Sequence, residues 1–237
     1  MKSRKRIIAA ILLKEFQDIK KNINLLVMYF LPVFFTLIFT YFIPDMPSGF
    51  ALNFGLLFLV VMMGMYVPSM LIAEEKEKKT LEVLLLSPAG AEEVLIGKGL
   101  LTYISILAVT LLLVLIVGLE GQSLLVIFFS TALIAIFSIF IGMMVGLLSP
   151  NQRSTGTIGL PIYMLLLLVP QLAAMSGEGV MNVLAALLPT TYYFQIQERA
   201  FAQTLQLGDI VLELSIIAFS IFVSFIALVF LYRKKGI

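Results

Sequence analysis

The sequence contains no cysteine and no histidine. Their absence excludes disulfides, thiolate metal sites, thiol nucleophiles and imidazole general bases. Neither a Ser/His intramembrane protease nor an HExxH metalloprotease can be built from it. Charge is scarce as well: 13% of the 237 residues are charged, against about 25% in a soluble domain. The net charge of +2 is too small to mark a nucleic-acid binder, and no stripe interleaves aromatic with basic residues to stack bases. Apolar residues are abundant instead, at 61% with a mean hydropathy of +1.08. Too little polar surface remains to cover a globule in water. The apolar residues come in runs of about 20, the length that spans a bilayer core. These features define an integral membrane protein.

Six spans are expected, at 24–43, 50–72, 99–119, 124–148, 157–175 and 210–232. Polar or turn-forming residues separate them, such as Pro44-Asp45-Met46-Pro47, Glu120-Gly121-Gln122 and Ser149-Pro150-Asn151. Of the 16 Lys and Arg, only Arg199 falls on one side of this arrangement. By the positive-inside rule the other side is cytoplasmic and holds both termini.

The basic start, Met1-Lys-Ser-Arg-Lys-Arg, resembles the n-region of a signal peptide. The apolar stretch from Ile7 to Leu13 is short, however, and no small-x-small cleavage site follows. Ile8, Ile11, Leu12, Phe16, Ile19 and Ile23 recur at helical spacing, so residues 1–23 are expected to form an amphipathic helix in the membrane interface. A second irregularity covers residues 180–208. About nine apolar residues, too few to cross, precede Pro189. Tyr192, Tyr193, Phe194, Glu198, Arg199 and Phe201 follow, a mixture suited to the headgroup boundary. The expectation is a re-entrant pair of short helices that dips into the outer leaflet before the last span.

The most informative stretch interrupts the second and third spans. Glu74 to Lys79 are six consecutive charges. Burying them at mid-bilayer would cost about 15–20 kcal/mol, at about 3 kcal/mol each, so they belong in water. Glu74 with Lys78 and Glu75 with Lys79 are i,i+4 pairs in the favourable order, which predicts a helix. Leu81, Leu84 and Leu85 add an apolar face, and Pro88 stops the helix near Leu86. A new helix is expected from Ala91, with Glu92 and Glu93 in its first turn, running through Gly97-Lys98 into the third span. Residues 73–98 thus read as a compact helical elbow whose acidic and leucine-rich faces suit docking on another protein.

The pattern Glu75-x-Glu77-x-x-Thr80-Leu81-Glu82-x-Leu84-Leu85-x-Ser87-Pro88, with Glu92/Glu93 and Gly97-Lys98 beyond it, resembles the signature of type-2 ABC export permeases. Pro189-Thr-Thr-Tyr192-Tyr193 with Arg199 is a weaker match to the same family, and the six-span topology agrees. Lys79 departs from the pattern, since family members often carry glycine there. The resemblance implies an all-α polytopic permease, a single domain over 1–237, that is not itself an enzyme. It implies a separate ABC ATP-binding subunit that carries ATP and magnesium, and a second permease, identical or homologous. Glu74, Glu75, Glu77, Thr80, Leu81, Glu82, Leu84, Leu85, Ser87 and Pro88 would then form the coupling surface, with no catalytic residue, metal or cofactor on this chain. Rigid coupling helices of this kind pass domain closure into the membrane.

Gly90 to Gly97-Lys98 is no P-loop: six residues separate the glycines rather than four, and Gly99 stands where Ser or Thr must meet magnesium. Within the spans, ionisable groups that would mark an ion pathway are nearly absent. Glu213, near the outer end of the last span, reads as a headgroup-level carboxylate. Gly142 and Gly146 in the fourth span, and Gly64 in the second, suit close helix packing. Pro32, Pro68, Pro161 and Pro170 lie in or near spans, where proline is tolerated. The resulting expectation is the transmembrane subunit of a plasma-membrane exporter, moving a drug, antimicrobial peptide, lipid or ion. The alternatives are an ATP-independent channel or secondary carrier, and a membrane scaffold.

Overall fold

The computed structural model describes residues 11–14, 16–17, 22–44, 48–78, 91–176, 179–202 and 207–234, with the backbone alone at 48, 91–94, 207 and 209. It is all-helical, with six helices long and apolar enough to cross a membrane. Helical turns at 11–14 and 16–17 precede them.

The first span is α1 (Ile23–Tyr41). Asn22 caps it, its side chain accepting the Asn24 amide at 3.1 Å. The second span is one continuous rod in three parts: α2 (Ser48–Phe58), a π-helical stretch Leu59–Tyr66, and α3 (Val67–Glu77). Pro68 has no amide hydrogen for the turn before it, and its ring crowds the carbonyl of Gly64. The widened turns end beside that proline, where the regular ladder cannot be kept. A ladder of phenylalanines joins α1 to α2: Phe35 and Phe39 meet Phe54 with ring centroids 5.7 and 5.2 Å apart, both edge-on. The i,i+4 spacing of Phe50, Phe54 and Phe58 puts those rings on one stripe.

The third span lies in α4 (Ala91–Val117), the fourth in α5 (Gly121–Leu148) and the fifth in α6 (Gln152–Ser176). Asn151 and Ser154 start α6 with reciprocal hydrogen bonds: the Ser154 amide donates to Asn151 Oδ1 at 3.0 Å and the Asn151 amide to Ser154 Oγ at 3.2 Å. Two short helices follow, α7 (Val180–Ala185) and α8 (Pro189–Phe201), and then the last span, α9 (Val211–Lys234). Pro189 opens α8 at a position where its missing N–H is harmless.

The second span and α5 form the centre of the bundle. The middle of the second span is almost wholly enclosed, whereas α1 and α9 turn most of their surface outward. Contact there is backbone to backbone. A Cβ at Gly142 would lie 2.2 Å from the Met65 carbonyl oxygen, and one at Gly146 would lie 2.8 Å from that of Ser69. Gly64 faces the side chain of Ser138, where a Cβ would lie 2.9 Å from that of the serine. The small residues therefore act as expected, letting dispersion contacts replace the hydrophobic drive that lipid does not supply. Phe219, Phe222 and Phe230 project outward from α9, a surface for acyl chains rather than water.

The buried residues of α8 are Pro189, Thr190, Thr191, Tyr193, Phe194, Ile196, Gln197 and Ala200. Tyr193 is fully enclosed and shares a 2.7 Å hydrogen bond with Thr131 of α5. This aromatic therefore packs in the protein core rather than on its surface. Tyr192 does stay near the surface, donating to the Ala186 carbonyl at 2.9 Å.

Candidate functional site

The polar interruption begins inside the helix of the second span. Glu74 to Glu77 are the last turn of α3, and Lys78 caps it. Successive helical residues point roughly 100° apart, so this turn reaches in several directions at once. Each residue takes a different neighbour. Glu75, 5% exposed, accepts from Lys14 Nζ at 2.8 Å and from Lys98 Nζ at 3.2 Å, and Lys98 is itself 2% exposed. Lys76 donates to the carbonyls of Leu147, at 2.8 Å, and Ser149, so a cation meets the negative end of α5. Glu77 accepts the Gln152 amide at 3.1 Å, a carboxylate at the positive end of α6. Glu74 pairs with Lys78 across one turn.

One helical turn thereby holds α4, α5, α6 and the N-terminal segment together. Ile11 reinforces the last connection by packing on Gly97, where no side chain would fit. The expectation that all six charges lie in water is therefore corrected at Glu75. Two lysine ammoniums meet it there, since a buried carboxylate must be paired and hydrogen-bonded. The i,i+4 pair of Glu74 and Lys78 is as expected. Lys79, Thr80, Leu81, Glu82, Leu84, Leu85, Ser87 and Pro88 lie outside the described residues, and α4 begins at Ala91. The pairing of Lys14 and Lys98 with Glu75 is not legible in the sequence because nothing local relates those lysines to α3.

The described basic residues Lys14, Lys76, Lys78, Lys98, Arg153, Arg233 and Lys234 all gather at this end of the bundle. Arg199 alone is at the other, where it pairs with Glu213 at 2.8 Å. Glu213 is 4% exposed, a carboxylate enclosed by the protein that joins α8 to α9. Ser123 ties the same end by donating to the Ala200 carbonyl at 2.7 Å. Nearby on α8, partial burial raises the Glu198 carboxyl above the usual range. No group of three or more acidic side chains able to hold a metal ion occurs among the described residues. The arrangement is a set of ion pairs and helix-end contacts that joins several helices at one end of the bundle.

Six apolar helices around a backbone-packed centre, with a charged joint at one end, define a multi-pass membrane protein. The family model for ABC-2 family transporter proteins matches residues 49–230. The chain belongs to that family. No curated protein matches it.

Proposed function

We propose that this chain is the permease half of an exporter, driven by a separate ATP-binding subunit that grips residues 74–88. The observation that carries this reading is the anchoring of Glu75, Lys76 and Glu77 to three other helices. A displacement of the segment that follows would move α4, α5 and α6 as one body rather than be lost in a loose loop. Thr80, Leu81, Glu82, Leu84, Leu85, Ser87 and Pro88 would supply the docking contacts. ATP and magnesium would sit on the partner. Two permeases, identical or homologous, would enclose the path of a drug, peptide, lipid or ion. The charged end faces the cytoplasm of a plasma membrane in this reading, with both termini inside. Residues 1–23 would lie in the inner interface, and the α7–α8 pair would dip into the outer leaflet.

Co-expression with an ABC ATP-binding subunit tests the reading. The intact chain should retain the ATPase through detergent purification, and Glu82→Ala or the pair Leu84→Ala/Leu85→Ala should release it. Equal retention by all variants, or none by the intact chain, would overturn the assignment.

A further inference from the structure

A cavity of about 790 Å³ opens between α4, α5 and α9. It lies in the size range of ligand sites, roughly 300–1,000 Å³. Helices α4 and α9 each pack against α5 but scarcely against one another, which leaves the slot. Its walls run from Leu95 to Tyr103 on α4, from Ile136 to Met143 on α5 and from Phe225 to Arg233 on α9. Nearly all of that lining is apolar. Among the described residues the one charged group on it is Arg233, at the rim, followed by Lys234 in the last turn of α9.

We infer that this groove binds an anionic membrane phospholipid, with one acyl chain in the slot and the phosphate on Arg233. Eight helical residues rise about 12 Å, so the groove reaches from the charged end to nearly the depth of one leaflet, about 15 Å. That matches an acyl chain whose headgroup stays at the surface. Arg233 has no carboxylate partner among the described residues, and a guanidinium takes phosphate in a planar, two-pronged fashion. Basic pockets between spans at a membrane surface select anionic headgroups. The chain's own N-terminus is a poorer occupant, because Lys2, Arg4, Lys5 and Arg6 would be repelled by Arg233. The site depends only on where the basic end of α9 meets the bilayer and stands apart from the export proposal.

The absence of tryptophan makes the test direct. Val229→Trp puts a sole indole in the groove, and Phe230→Trp puts one at the same depth on the outward face. Each full-length variant is reconstituted in phosphatidylethanolamine vesicles containing a minor fraction of phosphatidylglycerol brominated on its acyl chains. Groove quenching should exceed that expected from the bulk fraction of brominated lipid, while quenching at Phe230→Trp should follow it. Brominated phosphatidylethanolamine should show no such enrichment. Adding Arg233→Gln should lower the preference for phosphatidylglycerol roughly fivefold, the factor for one basic residue at an anionic surface. Leu100→Trp reports from the opposite wall should Val229→Trp fail to fold. Equal quenching by the two lipids, or a preference untouched by Arg233→Gln, would overturn the proposal. So would an unquenched groove, which would mean that a second copy or the chain's own N-terminus covers it.

Discussion

At the residue scale, Glu75 is the most constrained side chain in the charged joint. Two lysines converge on one of its oxygens, one of them almost wholly buried. Removing one partner of a buried ion pair costs about 3 kcal/mol or more, because the other charge keeps its desolvation penalty. Glu75→Ala should therefore lower the unfolding temperature strongly. Glu75→Gln, which keeps a hydrogen-bond acceptor, should lower it less. Glu77→Ala loses only an exposed carboxylate at the start of α6 and should cost about 0.5–1 kcal/mol. Thermal unfolding of the full chain in detergent ranks the three; a Glu77→Ala effect as large as that of Glu75→Ala would contradict the burial argument. None of these partners is legible in the sequence. Lys14 and Lys98 stand 61 and 23 positions away, and only the packing of separate helices brings them to one carboxylate.

At the element scale, the contact between the second span and α5 decides how tightly the bundle closes. Gly142 has no room for a methyl group against the Met65 backbone, and backbone cannot swing aside as a side chain can. Gly142→Ala should destabilise by about 1–3 kcal/mol, the usual cost of overpacking. Gly156→Ala is the contrast: nothing lies within 4 Å of that position, and alanine in a helix interior should stabilise by up to about 1 kcal/mol. Opposite shifts in unfolding temperature would verify both. The helices themselves were legible, since runs of apolar residues bounded by Pro, Gly and charge are local signals. The π-helical turns before Pro68 were not, because proline marks a break without saying which way the ladder adjusts.

At the scale of the whole molecule, charge asymmetry sets the orientation. The joint around Glu75 and the basic end of α9 lie together, and Arg199 lies opposite. A reporter active only outside the cell should work when inserted near Glu120 and fail when fused after Ile237. The reverse pattern would turn the protein over and place the joint beyond the reach of any cytosolic ATPase. Stability and orientation are thus separable: the first reads the joint's internal pairing, the second its placement in the membrane.

The sequence alone determined the class of protein, the number of spans and the gathering of cations at one end. These follow from sums over neighbouring residues, and a bilayer responds to such sums. Only the tertiary structure decided that Glu75 and Glu213 are interior, that Tyr193 is core and that three helices share one turn of α3. Whether a charge faces water or a partner depends on which distant helix packs beside it, and the periodicity of its own segment does not carry that information.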